Sequence, residues 1–172
     1  TTRAGLLTHP LRARFGITHH LEYYPQKDLE QIIRKATERL GMSQVDASGV
    51  AGIAMRSRGT PRVALRLLRR VRDFSQVRGT GSIDEATVIG ALALEGVDEL
   101  GLDELDRKYM RVLADIYEGG PAGLEAIAAT LGDDSGTLED VVEPYLLQIG
   151  FLARTKQGRK LTAAGREHLA SS

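Results

Sequence analysis

Apolar residues recur every three or four positions through most of the chain, which is the spacing of one helical face. In residues 27–40, Leu29, Ile32, Ile33, Ala36 and Leu40 share a stripe, and Gly41 stops it. Asp46 is placed to cap a second helix ending at Gly59. Thr60-Pro61 reads as a cap followed by a first-turn proline. It starts a third helix, with Ala64, Leu67, Leu68, Val71 and Phe74 inward, that reaches Val77 before Gly79-Thr80-Gly81 breaks it. Ser82 or Asp84 then starts a fourth, through Ala86, Ile89, Leu92 and Ala93 to Gly96. Residues 25–96 are thus predicted to be a compact four-helix unit.

The acidic, glycine-spaced stretch 96–104 reads as a linker. Beyond it the pattern predicts a helix over 104–118 with Leu105, Tyr109, Val112, Leu113 and Ile116 inward, ended by Gly119-Gly120-Pro121. A short helix from Leu124 to Leu131 follows, then a turn at Gly132-Asp133-Asp134-Ser135. Thr137 is the expected cap of a helix over 138–149, with Leu138, Val141, Val142, Tyr145 and Leu146 apolar and Gly150 as its stop. Phe151-Leu152-Ala153-Arg154-Thr155 and Arg159-Lys160-Leu161-Thr162 read as two strands around Lys156-Gln157-Gly158, and a last helix spans Ala163 to Leu169. Helix, short helix, helix, hairpin is a winged helix-turn-helix. Residues 1–24 fit neither unit, and Leu21-Glu22-Tyr23-Tyr24 reads as a strand entering from elsewhere. The chain opens at Thr1 in mid-motif, and we expect it to be a piece of a longer protein.

Charge changes the picture. The 172 residues hold 23 basic and 23 acidic side chains, a formal net charge of zero that by itself disfavours a nucleic-acid partner. The distribution says otherwise. Residues 52–78 carry eight arginines against Asp73 alone; residues 82–106 carry eight acids and no base; residues 154–166 carry five bases and no acid. Arginine supplies 18 of the 23 bases, and its planar fork suits phosphate. Composition excludes other classes. There is no cysteine, hence no disulfide framework or thiol nucleophile. No apolar run approaches the roughly 20 residues of a membrane span, so a cytoplasmic protein with no membrane partner is expected.

A helix-turn-helix that reads sequence carries basic or amide side chains on its second helix. Here that helix holds Glu139, Asp140 and Glu143 and no base, and three carboxylates facing phosphates would repel them. The hairpin holds Arg154, Lys156, Arg159 and Lys160 in seven residues, a pattern for gripping phosphates without reading bases. No GxxxxGK[ST] motif occurs, so the chain alone is expected to hydrolyse nothing. His9, His19, His20 and His168 have no metal-ligand spacing, and no metal site is predicted. Two arginines stand out. Arg62 lies in the first turn of a helix, where phosphate is already favoured. Arg14, in Pro10-Leu11-Arg12-Ala13-Arg14-Phe15-Gly16, reads as the end of a short helix at a domain edge, suited to act in trans on a neighbour's nucleotide.

Thr1-Thr2-Arg3-Ala4-Gly5-Leu6-Leu7, Pro10 to Ile17, Arg58-Gly59-Thr60-Pro61-Arg62, Leu67 to Phe74, Gly119 to Leu124 and Glu143-Pro144-Tyr145-Leu146 together resemble the RuvB family, bacterial AAA+ ATPases of Holliday-junction branch migration. The resemblance runs in order along the whole chain. It implies a mainly α fold: an AAA+ helical lid over 25–96, a winged-helix domain over 100–172, and over 1–24 the tail end of a truncated α/β AAA+ core. Thr1 and Thr2 look like the sensor-1 segment, Arg14 like the arginine finger acting in trans, Arg62 like sensor 2, and Tyr24 like a residue lining the nucleotide. Arg154 and Arg159, with Lys156 and Lys160, look like the wing's hold on the DNA backbone.

The implied cofactor is ATP or ADP with Mg²⁺, whose P-loop and metal contacts would precede this chain. The implied partners are double-stranded DNA, a Holliday junction, a homo-hexamer of the same protein and the junction-binding protein RuvA, in recombination and DNA repair. The wing departs from the family's usual Arg-Thr-Pro-Arg-Gly-Arg, reading Arg154-Thr155-Lys156-Gln157-Gly158-Arg159. A family position that holds a DNA-contacting arginine falls on Ser135, which puts that contact in question, and His9 has no counterpart we can explain. A winged-helix transcription regulator with a helical effector domain, or another AAA+ member such as a clamp-loader subunit, remain the alternatives.

Overall fold

A computed structural model of the chain describes residue 14 and residues 22–42, 44–78 and 81–171. Four helices make the first unit: α1 (Gln26–Arg39), α2 (Ala47–Met55), α3 (Pro61–Arg78) and α4 (Glu85–Leu94). Asp46 and Asp84 cap α2 and α4 by accepting from the backbone N–H of Gly49 and of Thr87. The predicted second helix is shorter than its apolar pattern, because residues 56–59 leave it as a turn before α3 begins at Pro61. Leu29, Ile33, Ile53, Leu68, Val71, Val88 and Leu92 meet in one core, each at most 1 % exposed. Leu40 and Ile89, expected on apolar stripes, lie at the rim, 47 % and 48 % exposed.

The stretch predicted as a linker is tightly held. The Asp98 carboxylate accepts from the N–H of Leu100 (2.9 Å) and of Leu102 (2.8 Å). Leu102 is fully buried in a second core with Tyr109, Met110, Leu113, Ile127, Leu138, Leu146, Leu152 and Leu161.

This second unit is the expected winged helix: α5 (Glu104–Arg111), α6 (Leu124–Leu131), α7, the hairpin β1 (Leu152–Thr155) and β2 (Gly158–Leu161), and α8 (Ala163–Ser171). The α7 helix runs without interruption through Ser135–Thr137, Leu138–Val142 and Glu143–Gln148. Its cap is Asp134, which accepts from Thr137 N–H at 2.7 Å; Thr137 lies inside the helix rather than at its start.

Two expectations fail for one physical reason. Val112–Ile116, continuing α5, and Leu138–Val142 within α7 are π turns, each with one residue more than an α turn. The extra residue rotates everything after it. Ile116 and Val141, predicted inward, are both 58 % exposed, while Tyr117 packs on the core and Glu143 is completely buried. In α7 the cause is Pro144, which has no N–H for the carbonyl four residues back and whose ring would clash with it.

The wing gains a third partner from the Gly-Gly-Pro connection. Ala122 and Arg159 exchange backbone hydrogen bonds (2.9 and 2.7 Å), and Leu161 N–H donates to Gly119 O (2.9 Å). A Cβ on Gly120 would meet Arg159 O at 2.4 Å, so the close approach requires glycine there.

Candidate nucleic-acid interface and nucleotide-facing turn

The hairpin register sets Arg154 directly opposite Arg159. Side chains opposite each other share a sheet face, and two like charges there repel. The buried Glu143 carboxylate lies between them. Its Oε2 accepts from Arg154 Nε at 2.8 Å and is 2.5 Å from Arg154 Nη2. Its Oε1 accepts from Arg159 Nε at 2.9 Å and from the Tyr109 hydroxyl at 2.8 Å. Glu139, one turn earlier and 41 % exposed, adds longer ion pairs to Arg154 (3.7 Å) and Arg159 (3.5 Å). Burial, then the Glu143 charge, pushes the Tyr109 hydroxyl up and keeps it protonated as a donor. At Arg159 burial acts downward, but Glu143 outweighs it and the guanidinium is held above its ordinary value.

Glu143 is therefore not an outward acid that repels phosphate, as its sequence position suggested. It is the anchor of the wing. The wing's four bases divide accordingly. Arg159 is tucked in, at 19 % side-chain exposure, and Arg154 keeps 44 %. Lys156, in the turn, and Lys160, on the other sheet face, are exposed. Ser135, the first residue of α7, is half-buried.

The nucleotide candidates are more scattered. Thr1 and Thr2 lie outside the described residues, as does His9. Arg14 is exposed in a turn, but its neighbours at 1–13 and 15–21 are outside the description. Tyr24 and Arg62 flank one turn: Tyr24 N–H donates to Gly59 O at 2.8 Å, and Arg62 is exposed in the first turn of α3. The Tyr24 ring is 48 % exposed. An open aromatic face and an exposed guanidinium beside a helix N-terminus fit a base and a phosphate respectively. Among the described residues no acidic or histidine cluster could hold a metal ion, and no helix is long and apolar enough to cross a membrane.

Behind that turn lies a cluster that sequence reading missed. Arg58 Nε donates to Gly101 O at 2.8 Å, and its Nη2 is 3.1 Å from Asp103 and 2.5 Å from Asp106. Asp106 is 1 % exposed, and its Oδ1 is buried without a hydrogen-bond partner. Burial pushes its carboxyl up to about 7 while Arg58 pulls the other way. A carboxyl raised on folding stabilises the fold as the neutral acid. That contribution is complete below the unfolded value and is lost as pH rises through 7. Asparagine does not titrate, so the stability deficit of Asp106→Asn is expected to be largest near pH 4 and to shrink towards pH 8. Thermal melts of both proteins across that range check it; a deficit that grows with pH contradicts it.

Two family models match the chain. The RuvB AAA lid domain covers residues 24–98, and the RuvB C-terminal winged helix domain covers residues 99–170. Among curated proteins, the Holliday junction branch migration complex subunit RuvB of Lactococcus lactis subsp. cremoris is 50 % identical over 169 residues, 98 % of this chain and 50 % of the relative. That of Ligilactobacillus salivarius is 54 % identical over the same shares. Among solved structures, the Thermotoga maritima RuvB Holliday junction branch migration motor superposes with a TM-score of 0.91 at 46 % identity, over 96 % of this chain and 55 % of that one. The chain spans about half the length of the curated relatives it matches. Contiguous lid and winged-helix matches at this identity show that the chain belongs to the RuvB family.

Proposed function

We propose that this chain is the lid and DNA-gripping portion of an ATP-driven motor that moves double-stranded DNA through branch migration of Holliday junctions. The observation that carries this reading is the split within the winged helix. The wing offers three exposed bases, Arg154, Lys156 and Lys160, whereas the outward residues of α7, Asp140, Val141 and Gln148, include no base. Such a surface grips a phosphate backbone and reads no base edges, which disfavours the transcription-regulator alternative. Lid residues Arg62 and Tyr24 would face the nucleotide, Arg14 would act on a neighbouring subunit's ATP, and Thr1-Thr2 would serve as sensor 1. Arg159 would back the wing grip. Ser135, half-buried, would contribute little. ATP with Mg²⁺ is the proposed fuel, bound mainly through a P-loop and metal ligands outside this sequence; the chain alone would be inactive. The working assembly would be a homo-hexamer in the cytoplasm, acting with the junction-binding protein RuvA.

Binding of this chain to duplex DNA tests the grip. Arg154 is already paired with Glu143, so the two wing lysines set the salt dependence: the slope of log affinity against log salt is expected to be about −1.8, and nearly the same for unrelated duplexes. A strong preference for one operator sequence overturns the motor reading.

A further inference from the structure

We propose that Arg58 is a positioning residue that locks the winged helix to the nucleotide-facing turn of the lid, so that a displacement of that turn is delivered to the wing. The inference rests on the motor reading above. The turn 56–59 is held on both sides. On one side Tyr24 N–H donates to Gly59 O, and Gly59 lies so close to Tyr23 that a Cβ there would meet the Tyr23 Cβ at 2.7 Å. On the other side a Cβ on Gly101 would meet Arg56 O at 2.5 Å, so the lid turn and the segment entering α5 touch backbone to backbone.

Arg58 adopts a φ of +51°, followed by Gly59 at +67°. A non-glycine residue held left-handed costs about 1 kcal/mol or more, and it persists only where its surroundings over-determine it. Here the partners of the Arg58 side chain belong to the winged helix. The Arg58 side chain, 12 % exposed, bonds Gly101 O, Asp103 and Asp106, and its guanidinium lies over the Tyr145 ring at 5.1 Å from the centroid. The Tyr145 hydroxyl in turn donates to Leu100 O at 2.5 Å.

From Arg58 two short routes reach the wing. Asp106 and Tyr109 lie three apart on α5, and the Tyr109 hydroxyl donates to Glu143. Tyr145 lies two residues after Glu143 on α7. Both converge on the carboxylate that holds Arg154 and Arg159. The residues proposed to face nucleotide and those proposed to face DNA are thus joined through side-chain contacts of Arg58 and Glu143 and through short stretches of helix, Asp106 to Tyr109 on α5 and Glu143 to Tyr145 on α7. Spatial continuity alone is not coupling, so both the stiffness and its consequence need measuring.

The chain has no cysteine, so spin labels at Glu38→Cys on the lid and Gln157→Cys on the wing are the only labels it carries. One narrow distance distribution is expected for the otherwise unchanged chain, and a broad one with Arg58→Ala. Asp103→Asn, a milder change, is expected to fall between them and serves if the alanine variant does not fold. Equal widths for all three overturn the lock. In the complete protein, Arg58→Ala is expected to keep ATP turnover and DNA affinity while DNA movement per ATP falls about ten-fold. Proportionate loss of turnover and movement, or an unchanged ratio, overturns the coupling. If the unsubstituted complete protein moves no DNA, the motor reading fails, and the distance measurement still decides the lock.

Discussion

Replacing Glu143 by alanine is expected to destabilise the winged helix by about 3 kcal/mol, because the tucked-in Arg159 and, to a lesser extent, the more exposed Arg154 lose the buried carboxylate between them. For a chain of this size that is a fall of about 10 °C in Tm. The Tyr109 hydroxyl, buried and donating to Glu143 at 2.8 Å, loses its acceptor in the same step. Glu139 pairs with the same two arginines, but it is 41 % exposed and its distances are 3.5 and 3.7 Å. Glu139→Ala is therefore expected to cost less than about 1 kcal/mol. Chemical denaturation of the two variants separates them; equal effects would mean that Glu143 is solvated and does not anchor the wing. Breaking a buried ion pair is costly, yet a well-packed apolar replacement of the whole cluster is often as stable. Stability alone therefore does not explain three ionised groups at this site. Orientation does: opposed arginines on a two-residue turn would splay apart, and the carboxylate between them fixes both at the wing edge.

What could be read in the sequence was local. Asp46 and Asp84 announce their helices through a side-chain oxygen that accepts from an N–H three residues on, and Thr60-Pro61 announces α3. The hairpin was legible from its turn residues and flanking apolar positions, and the lid and winged-helix architecture followed. What escaped depended on register and on distance. The π turns at Val112–Ile116 and Leu138–Val142 leave composition untouched but rotate the helix after them. An α-periodic reading therefore put Ile116 and Val141 inside and Glu143 outside. Pro144, one residue after Glu143, was the available signal, since an interior proline forces some departure from the α ladder. Arg154 facing Arg159 across the hairpin was another, since such a pair needs an anion between its members.

The opposed charge blocks were visible, but not that they meet. Arg58 of the basic block binds Asp103 and Asp106 of the acidic one, and Asp98 of that block contacts His168 at 2.9 Å. Acids that seemed to face no ligand form the joint between the two domains.

The largest effect is expected at Arg14. In the complete protein, Arg14→Ala is expected to lower ATP turnover by about 10³–10⁵, the range over which arginine fingers stabilise charge on a transferring phosphoryl group. Arg14 is exposed, as a finger reaching out of its own subunit must be. Exposure alone suits many arginines, so the discriminating measurement is complementation. An Arg14→Ala subunit with an intact P-loop lacks only its gift to the neighbour; a P-loop-defective subunit lacks only its own site. Mixed in one ring, the second supplies its arginine to the first subunit's site, and turnover returns although neither protein is active by itself. A finger acting within its own subunit gives no such return. Arg62 provides the contrast. It stands on the lid beside the turn that Tyr24 grips; on the proposed reading it serves its own subunit's nucleotide, and an Arg62→Ala subunit is expected to stay impaired whatever its neighbours contribute. Rescue of Arg14→Ala without rescue of Arg62→Ala is the outcome that assigns one arginine across the interface and the other within it. Rescue of both would place Arg62 across the interface as well, and rescue of neither would remove Arg14 from it.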